Sequence, residues 1–363
     1  MTADPIGGVW QYALELCRQL GKAETEIALA TMGRPLTDQE RASIHDLPHV
    51  RLFESAYKLE WMREPGKDLE AAGQWLLDLE SRLDPSLIHL NQYCHGALPW
   101  KVPCLVVGHS CVYSWFEAVK ATPPGAEWED YRQAVQVGLH SADLVTAPSR
   151  TMLSALETHY GRFAAARPIY NGRSGAFSAA EKKEPCIVTA GRLWDEAKNI
   201  ASLRSIAGKI PWPLYVAGEW RNPDGKEARS DGLISLGQLD SATLAHGFNR
   251  AAIFVLPARY EPFGLSALEA GLAGCALVLG DIASLREIWG DAAVFVPPGD
   301  PEQLLIALLK LIADPSLRQE FSRRARRRAL AFTPERMAQA YINLYDELQS
   351  APSRPIAEWH LGE

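Results

Sequence analysis

Short apolar runs recur along the chain, and each stops at glycine, proline or serine before a stretch with helical spacing begins. The runs at 104–108, 143–147 and 253–256 are apolar throughout or nearly so, rather than alternating. Such runs are strands covered on both faces, the signature of a parallel sheet packed between helices. Further strands are expected at 26–30, 50–53, 87–90, 186–193, 213–219 and 233–239, with 282–288 and 293–300 completing the sheet. Helices are expected at 9–20, 67–83, 126–141 and 241–249, from 200 and from 265, and at 301–313, 316–332 and 334–348. This order predicts an α/β chain with a mostly parallel, doubly wound sheet. The strand that should precede the helix at 9–20 is expected to be missing or reduced to a stub, since only a few residues stand before Gly7-Gly8.

A length of 363 residues suits two domains of ordinary size. Net charge is −7, so no bulk basic field invites nucleic acid. No apolar run approaches the roughly 20 residues of a membrane span. Six cysteines are scattered with no C-x-x-C pair, which reads as reduced core thiols of a cytoplasmic protein rather than a disulfide or zinc framework. The one basic block, Arg323-Arg324-Ala325-Arg326-Arg327-Arg328, could touch anionic headgroups at the inner face of a membrane. The commoner fate of such a run is a solvated helix face.

Chemistry concentrates at 257–270. The strand stops at Pro257, Pro262 and Gly264 punctuate a loop, and Leu265, Leu268 and Leu272 resume at helical spacing. A strand–loop–helix junction of this kind is where open α/β sheets bind ligands. The free amides of the helix start favour an anion. Glu261 and Glu269 flank those amides, and carboxylates accept hydrogen bonds from sugar or ribose hydroxyls. Two lone glutamates would more often be ordinary surface residues. Arg192 ends the strand at 186–193 and Lys198 follows before the next helix; both suit phosphate oxygens, although surface cations are usually just solvated. Gly7-Gly8 at the first helix start and Gly218 after the strand at 213–217 allow close approach of a ligand to the backbone. His109 follows a buried strand at its carboxyl end, the ligand side. A lone histidine is more often structural. Tyr113, Trp115 and Phe116 suit a sugar face or, equally, a core.

The segment Glu261-Pro262-Phe263-Gly264-Leu265, with Glu269 after a seven-residue spacer and the run 270–279 behind it, resembles the signature of the retaining nucleotide-sugar glycosyltransferases of family 4. Gly191-Arg192-Leu193 with a following lysine, and Asn171-Gly172, are similar to that family's pattern as well. The resemblance implies a GT-B fold: two Rossmann-like domains facing across a cleft. It implies an acceptor-side domain at 1–172, a nucleotide-sugar domain at 173–332, a helix at 333–350 returning to the first domain, and a loose tail at 351–363. It implies sugar transfer from a nucleotide-diphospho-sugar, carried by UDP, GDP or ADP, to a saccharide, lipid-linked or small-molecule acceptor. No cofactor and no obligatory metal are implied, because cations and helix amides would neutralise the diphosphate. Catalytic roles fall to His109, Arg192, Lys198 and Glu261. Donor contacts fall to Gly7, Gly8, Gly191, Gly218, Glu219, Leu239, Phe263, Gly264, Leu265, Ser266 and Glu269. Two departures stand out: Ser110 follows His109 where the family often has aspartate, and the gap from Arg192 to Lys198 is one residue longer than in many members. A sugar-nucleotide 2-epimerase, a phosphorylase and a non-catalytic nucleotide-sugar-binding protein share the fold and remain as alternatives.

Overall fold

The computed structural model describes residues 1–5, 7–175, 177, 182–220 and 231–350. The strands are β1 (Thr2–Ala3), β2 (Ile27–Thr31), β3 (Val50–Glu54), β4 (Ile88–Leu90), β5 (Cys104–Val107), β6 (Leu144–Ala147), β7 (Ala166–Pro168), β8 (Glu184–Ala190), β9 (Leu214–Ala217), β10 (Ile234–Gly237), β11 (Ala251–Leu256), β12 (Ala276–Gly280) and β13 (Val294–Val296). The helices are α1 (Gly8–Lys22), α2 (Asp38–His45), α3 (Gly66–Leu83), α4 (Val112–Lys120), α5 (Glu129–Ser141), α6 (Arg150–Tyr160), α7 (Ile200–Ala207), α8 (Ser241–Arg250), α9 (Leu265–Leu272), α10 (Ala283–Trp289), α11 (Pro301–Ala313), α12 (Pro315–Ala329) and α13 (Pro334–Ser350).

The C-terminal sheet runs β10-β9-β8-β11-β12-β13 and is parallel throughout. β11 and β12 are buried at every residue, as their unbroken apolar sequence requires, and core clusters lie on both faces of the sheet. The order reverses between β8 and β11, which places the loops after those two strands side by side at a topological switch point. The expectation of a strand at 282–288 is corrected: that segment is the helix α10, and the strand is β12 at Ala276–Gly280. Ser284, Leu285, Ile288 and Trp289 are buried in it, a spacing of three and four that fits a helix and not a strand. The short helix α2 also went unread; its Thr37–Glu40 capping box is the local signal for it.

The N-terminal strands divide into two parallel sheets, β1-β2-β3 and β4-β5-β6-β7. The division falls where the stub was expected. β1 is two residues long and pairs with β2, while side chains rather than a ladder join it to β4. The Asn91 amide donates to the Thr2 hydroxyl at 2.9 Å, and the Asn91 side chain donates to the Thr2 carbonyl at 2.6 Å.

The chain passes between the two halves twice, at 172–173 and at 332–334, and the passages touch. A Cβ at Gly172 would lie 2.3 Å from the Thr333 carbonyl oxygen, so only glycine fits there. α13 then packs Met337, Ala338, Tyr341, Leu344 and Leu348 into the core that holds Trp10, Tyr12 and Leu16 of α1. On the opposite side of the cleft α10 carries Glu287 to the start of α6. There it accepts the amides of Arg150 and Thr151, each at 2.8 Å, the Thr151 hydroxyl at 2.7 Å and the Tyr170 hydroxyl at 2.9 Å. The expected tail at 351–363 and part of the expected linker lie outside the described residues.

Candidate active site

The loops after β8 and β11 build one wall of the cleft. β8 delivers Gly191 in a left-handed conformation, at φ 152°, and Arg192 directly behind it. Gly218, which follows β9, approaches so closely that a Cβ there would lie 1.8 Å from the Gly191 carbonyl oxygen. Arg192 donates to Asp195 at 3.0 Å, and that carboxylate also accepts the Trp115 indole N–H at 3.1 Å from α4 across the cleft. Lys198 forms an ion pair with Glu261. Asn199, whose φ of 55° is left-handed, donates to the carbonyls of Pro257 at 3.0 Å and Pro298 at 2.7 Å. Those two bonds stitch the loop after β8 to the loops after β11 and β13. The diphosphate candidates Arg192 and Lys198 therefore lie on the same loop wall as Glu261.

Two helix starts meet over this surface. Gly264 caps α9 in the left-handed region, at φ 89° and ψ 64°. Gly7 caps α1 at φ 82°. A Cβ at Gly8 would stand 3.4 Å from a methyl of Leu265, so the first turns of the two helices face each other from opposite halves. Each leaves backbone N–H groups without intrahelical partners, and both positive ends of the helix dipoles point into the same gap. Among the described residues no group of three or more His, Cys, Asp or Glu side chains is placed to hold a metal ion.

His109 stands beside α1 with its ring edge-on to Tyr12, 4.6 Å between centroids. Asn91 fixes its tautomer. The Asn91 NH2 is committed to Thr2, so its Oδ1 faces His109 Nε2 at 2.8 Å and that nitrogen carries the proton. Burial pushes the imidazole from 6.5 down to about 3, so His109 works here as a neutral hydrogen-bonding group.

Several expected residues are placed differently from a simple donor contact. The Phe263 side chain is buried against Phe332, with ring centroids 5.7 Å apart; what it offers the cleft is main chain. Leu239 packs against the same core. Glu219 accepts the Trp194 indole N–H at 3.3 Å, and its carbonyl accepts the Leu193 amide at 2.9 Å. Ser266 lies in the first turn of α9, beside Leu265. Glu269 is buried, and one of its oxygens accepts Arg173 Nε at 2.6 Å. Burial raises its pKa and the guanidinium opposes the rise.

Sequence reading missed four groups. Asp195 lies three residues after Arg192, a spacing that could have flagged it. Asn91 follows β4 at the ligand end, as His109 does two residues after β5. Tyr260 stands next to Glu261 yet reaches into the other half, where its hydroxyl meets the Cys111 amide at 3.2 Å and the Ser114 hydroxyl at 2.9 Å. Arg173 gave no signal, because its two carboxylate partners come from distant helices.

Fold and cleft together define a two-domain α/β protein of the GT-B class. The model for "Glycosyltransferase Family 4" matches residues 6–174, and that for "Glycosyl transferases group 1" matches 175–328. The chain belongs to glycosyltransferase family 4. A glycogen synthase of Mycobacterium tuberculosis is 36% identical over 159 residues, which is 40% of this chain and 38% of that protein. The O-antigen chain mannosyltransferase B of Escherichia coli is 33% identical over 110 residues, 30% of this chain and 29% of that protein. The match thus spans well under half the length of each of these relatives. Among solved structures, a sucrose-phosphate synthase from Thermosynechococcus elongatus superposes with a TM-score of 0.80 at 22% identity, covering 95% of this chain and 94% of that one. Anabaena HepE, solved in complex with UDP-glucose, superposes with a TM-score of 0.73 at 14% identity, covering 96% and 100%. At these identities the likeness is one of fold.

Proposed function

We propose that this protein transfers a sugar from a nucleotide-diphospho-sugar to an acceptor hydroxyl with retention of anomeric configuration and without a metal. The observation that carries the reading is the convergence of Arg192, Lys198 and two opposed helix starts on one gap, Gly8 facing Leu265. Four sources of positive potential in one cleft suit a diphosphate leaving group. Arg192 supplies a planar fork held by Asp195, and Lys198 a point charge held by Glu261. Glu261 accepts hydroxyls of the donor sugar, and Glu269 those of the ribose. His109, neutral and held by Asn91, lends the sugar a hydrogen bond from the other domain. In the transfer the bond from the anomeric carbon to the phosphate oxygen breaks and a bond to the acceptor oxygen forms on the same face. The acceptor's proton leaves with the departing phosphate oxygen. Closure of the cleft keeps water from competing as acceptor.

A thermal-shift screen of UDP, GDP, ADP and their sugars tests the reading. One nucleotide family should stabilise the protein, by mass action on the native state. No stabilisation by any of them at millimolar concentration contradicts it.

A further inference from the structure

Three charged side chains form a buried chain between the two halves of the molecule. Arg173 Nε donates to Glu269 of α9 at 2.6 Å, and its Nη1 donates to Glu15 of α1 at 3.2 Å. Their side-chain exposures are 7% for Arg173, 1% for Glu15 and 8% for Glu269. Ser174 adds its amide at 3.2 Å and its hydroxyl at 2.7 Å to Glu15. The Arg173 amide itself donates to the Phe332 carbonyl at 3.3 Å, so the guanidinium hangs from the point where the two chain passages touch.

The helices it joins are the two whose starts meet over the cleft. α1 and α9 face each other at Gly8 and Leu265. One turn further into α9 and two turns further into α1, Arg173 connects them again through Glu269 and Glu15. Ion pairs this buried gain little net stability, because desolvation of the charges offsets their attraction. What they do provide is geometry: a guanidinium presents its donors in one plane at fixed angles.

We propose that Arg173 is a positioning residue for the nucleotide: it aims the Glu269 carboxylate at the ribose hydroxyls and ties that aim to the register between α1 and α9. This rests on the nucleotide-sugar reading above. Arg173 touches no substrate; it acts through Glu269. A merely structural arginine at this place would lower stability and weaken every nucleotide alike. An aiming arginine also governs how well the protein distinguishes a ribose from a sugar without hydroxyls.

The test compares affinities by calorimetry for UDP, GDP and ADP and for the 2′,3′-dideoxy form of each, in wild type, Arg173→Met and Arg173→Lys, with melting temperatures recorded. Wild type should prefer the ribose form by about tenfold or more, one charged hydrogen bond's worth. Arg173→Met should reduce the preference to within about threefold, and Arg173→Lys should fall between them, since a point charge cannot hold both carboxylates. The lysine variant keeps the charge balance and so keeps the test open where the methionine variant fails to fold. Preference at the wild-type level in either variant overturns the inference alone, as does a wild type that binds a nucleotide without preferring ribose. A wild type that binds none of the nucleotides overturns the underlying reading as well.

Discussion

At the scale of the residue, the proposed transfer rests most heavily on Arg192. Its contribution should grow as negative charge builds on the departing phosphate, so turnover should suffer more than donor binding. Arg192→Ala is expected to lower single-turnover rate on the order of 100-fold, and Arg192→Lys to recover only part of it. A rate within about threefold of the parent would remove Arg192 from the donor site, since a solvated surface charge is worth almost nothing. His109 gives a pH prediction with a definite sign. Its pKa is depressed by burial from 6.5 to about 3. Above 6.5 both the folded and unfolded forms are neutral. Below that the unfolded chain takes up a proton which the native one refuses, so stability falls as pH drops from 6.5 toward 3. His89, buried beside it and shifted in the same direction, contributes separately. In His109→Gln the loss of melting temperature between pH 7 and pH 5 should be smaller than in the parent; an equal loss would show that His109 does not resist protonation. The candidate cations Arg192 and Lys198 could be named from sequence because a strand end followed by arginine, and a lysine before a helix, form a local pattern. Asn91, Asp195 and Arg173 were not, because each acts through partners that only the folded chain brings near.

At the scale of the element, the loops after β8 and β11 and the link from α10 to α6 set the cleft. Gly218 and Gly191 show how tightly the loops are packed: with 1.8 Å between a Cβ at 218 and the Gly191 carbonyl, Gly218→Ala forces the backbone apart. We expect a loss on the order of 2 kcal/mol or more in denaturant unfolding, together with weaker nucleotide binding; unchanged stability would mean the loop yields freely. Glu287 caps a helix of the other half. Burial pushes its pKa up, but the Thr151 hydroxyl, the amides of Arg150 and Thr151 and the Tyr170 hydroxyl outweigh that and hold it below the ordinary value. Glu287→Ala should cost about 1–2 kcal/mol as a lost cap. Small-angle scattering should also show a wider spread of domain arrangements, and an unchanged profile would locate the restraint elsewhere. The elements themselves were read well where apolar runs were long and unbroken, as in β11. They were misread at α10, where 282–288 was assigned to the sheet although the segment buries Leu285, Ile288 and Trp289 at helical spacing.

At the scale of the whole molecule, three parallel sheets in two opposed halves, a returning helix and two touching chain passages make one cleft. The βα alternation forecast the parallel sheets, while the two facing halves and the returning helix were expected from the resemblance to family 4. The division of the N-terminal strands into two sheets was beyond both, since that depends on how far a two-residue strand can pair. In the proposed function the leaving group's charge is answered by side chains and helix starts, so turnover should persist in EDTA. The most direct measurement is donor cleavage: each of UDP-, GDP- and ADP-glucose and GDP-mannose is incubated with the protein in EDTA, without acceptor, and followed by proton NMR. The account predicts slow release of nucleoside diphosphate from one donor, with the freed sugar appearing first in the donor's own anomeric configuration, and loss of that release in Arg192→Ala. Release only after manganese or magnesium is added, or a freed sugar of the opposite configuration, would contradict it.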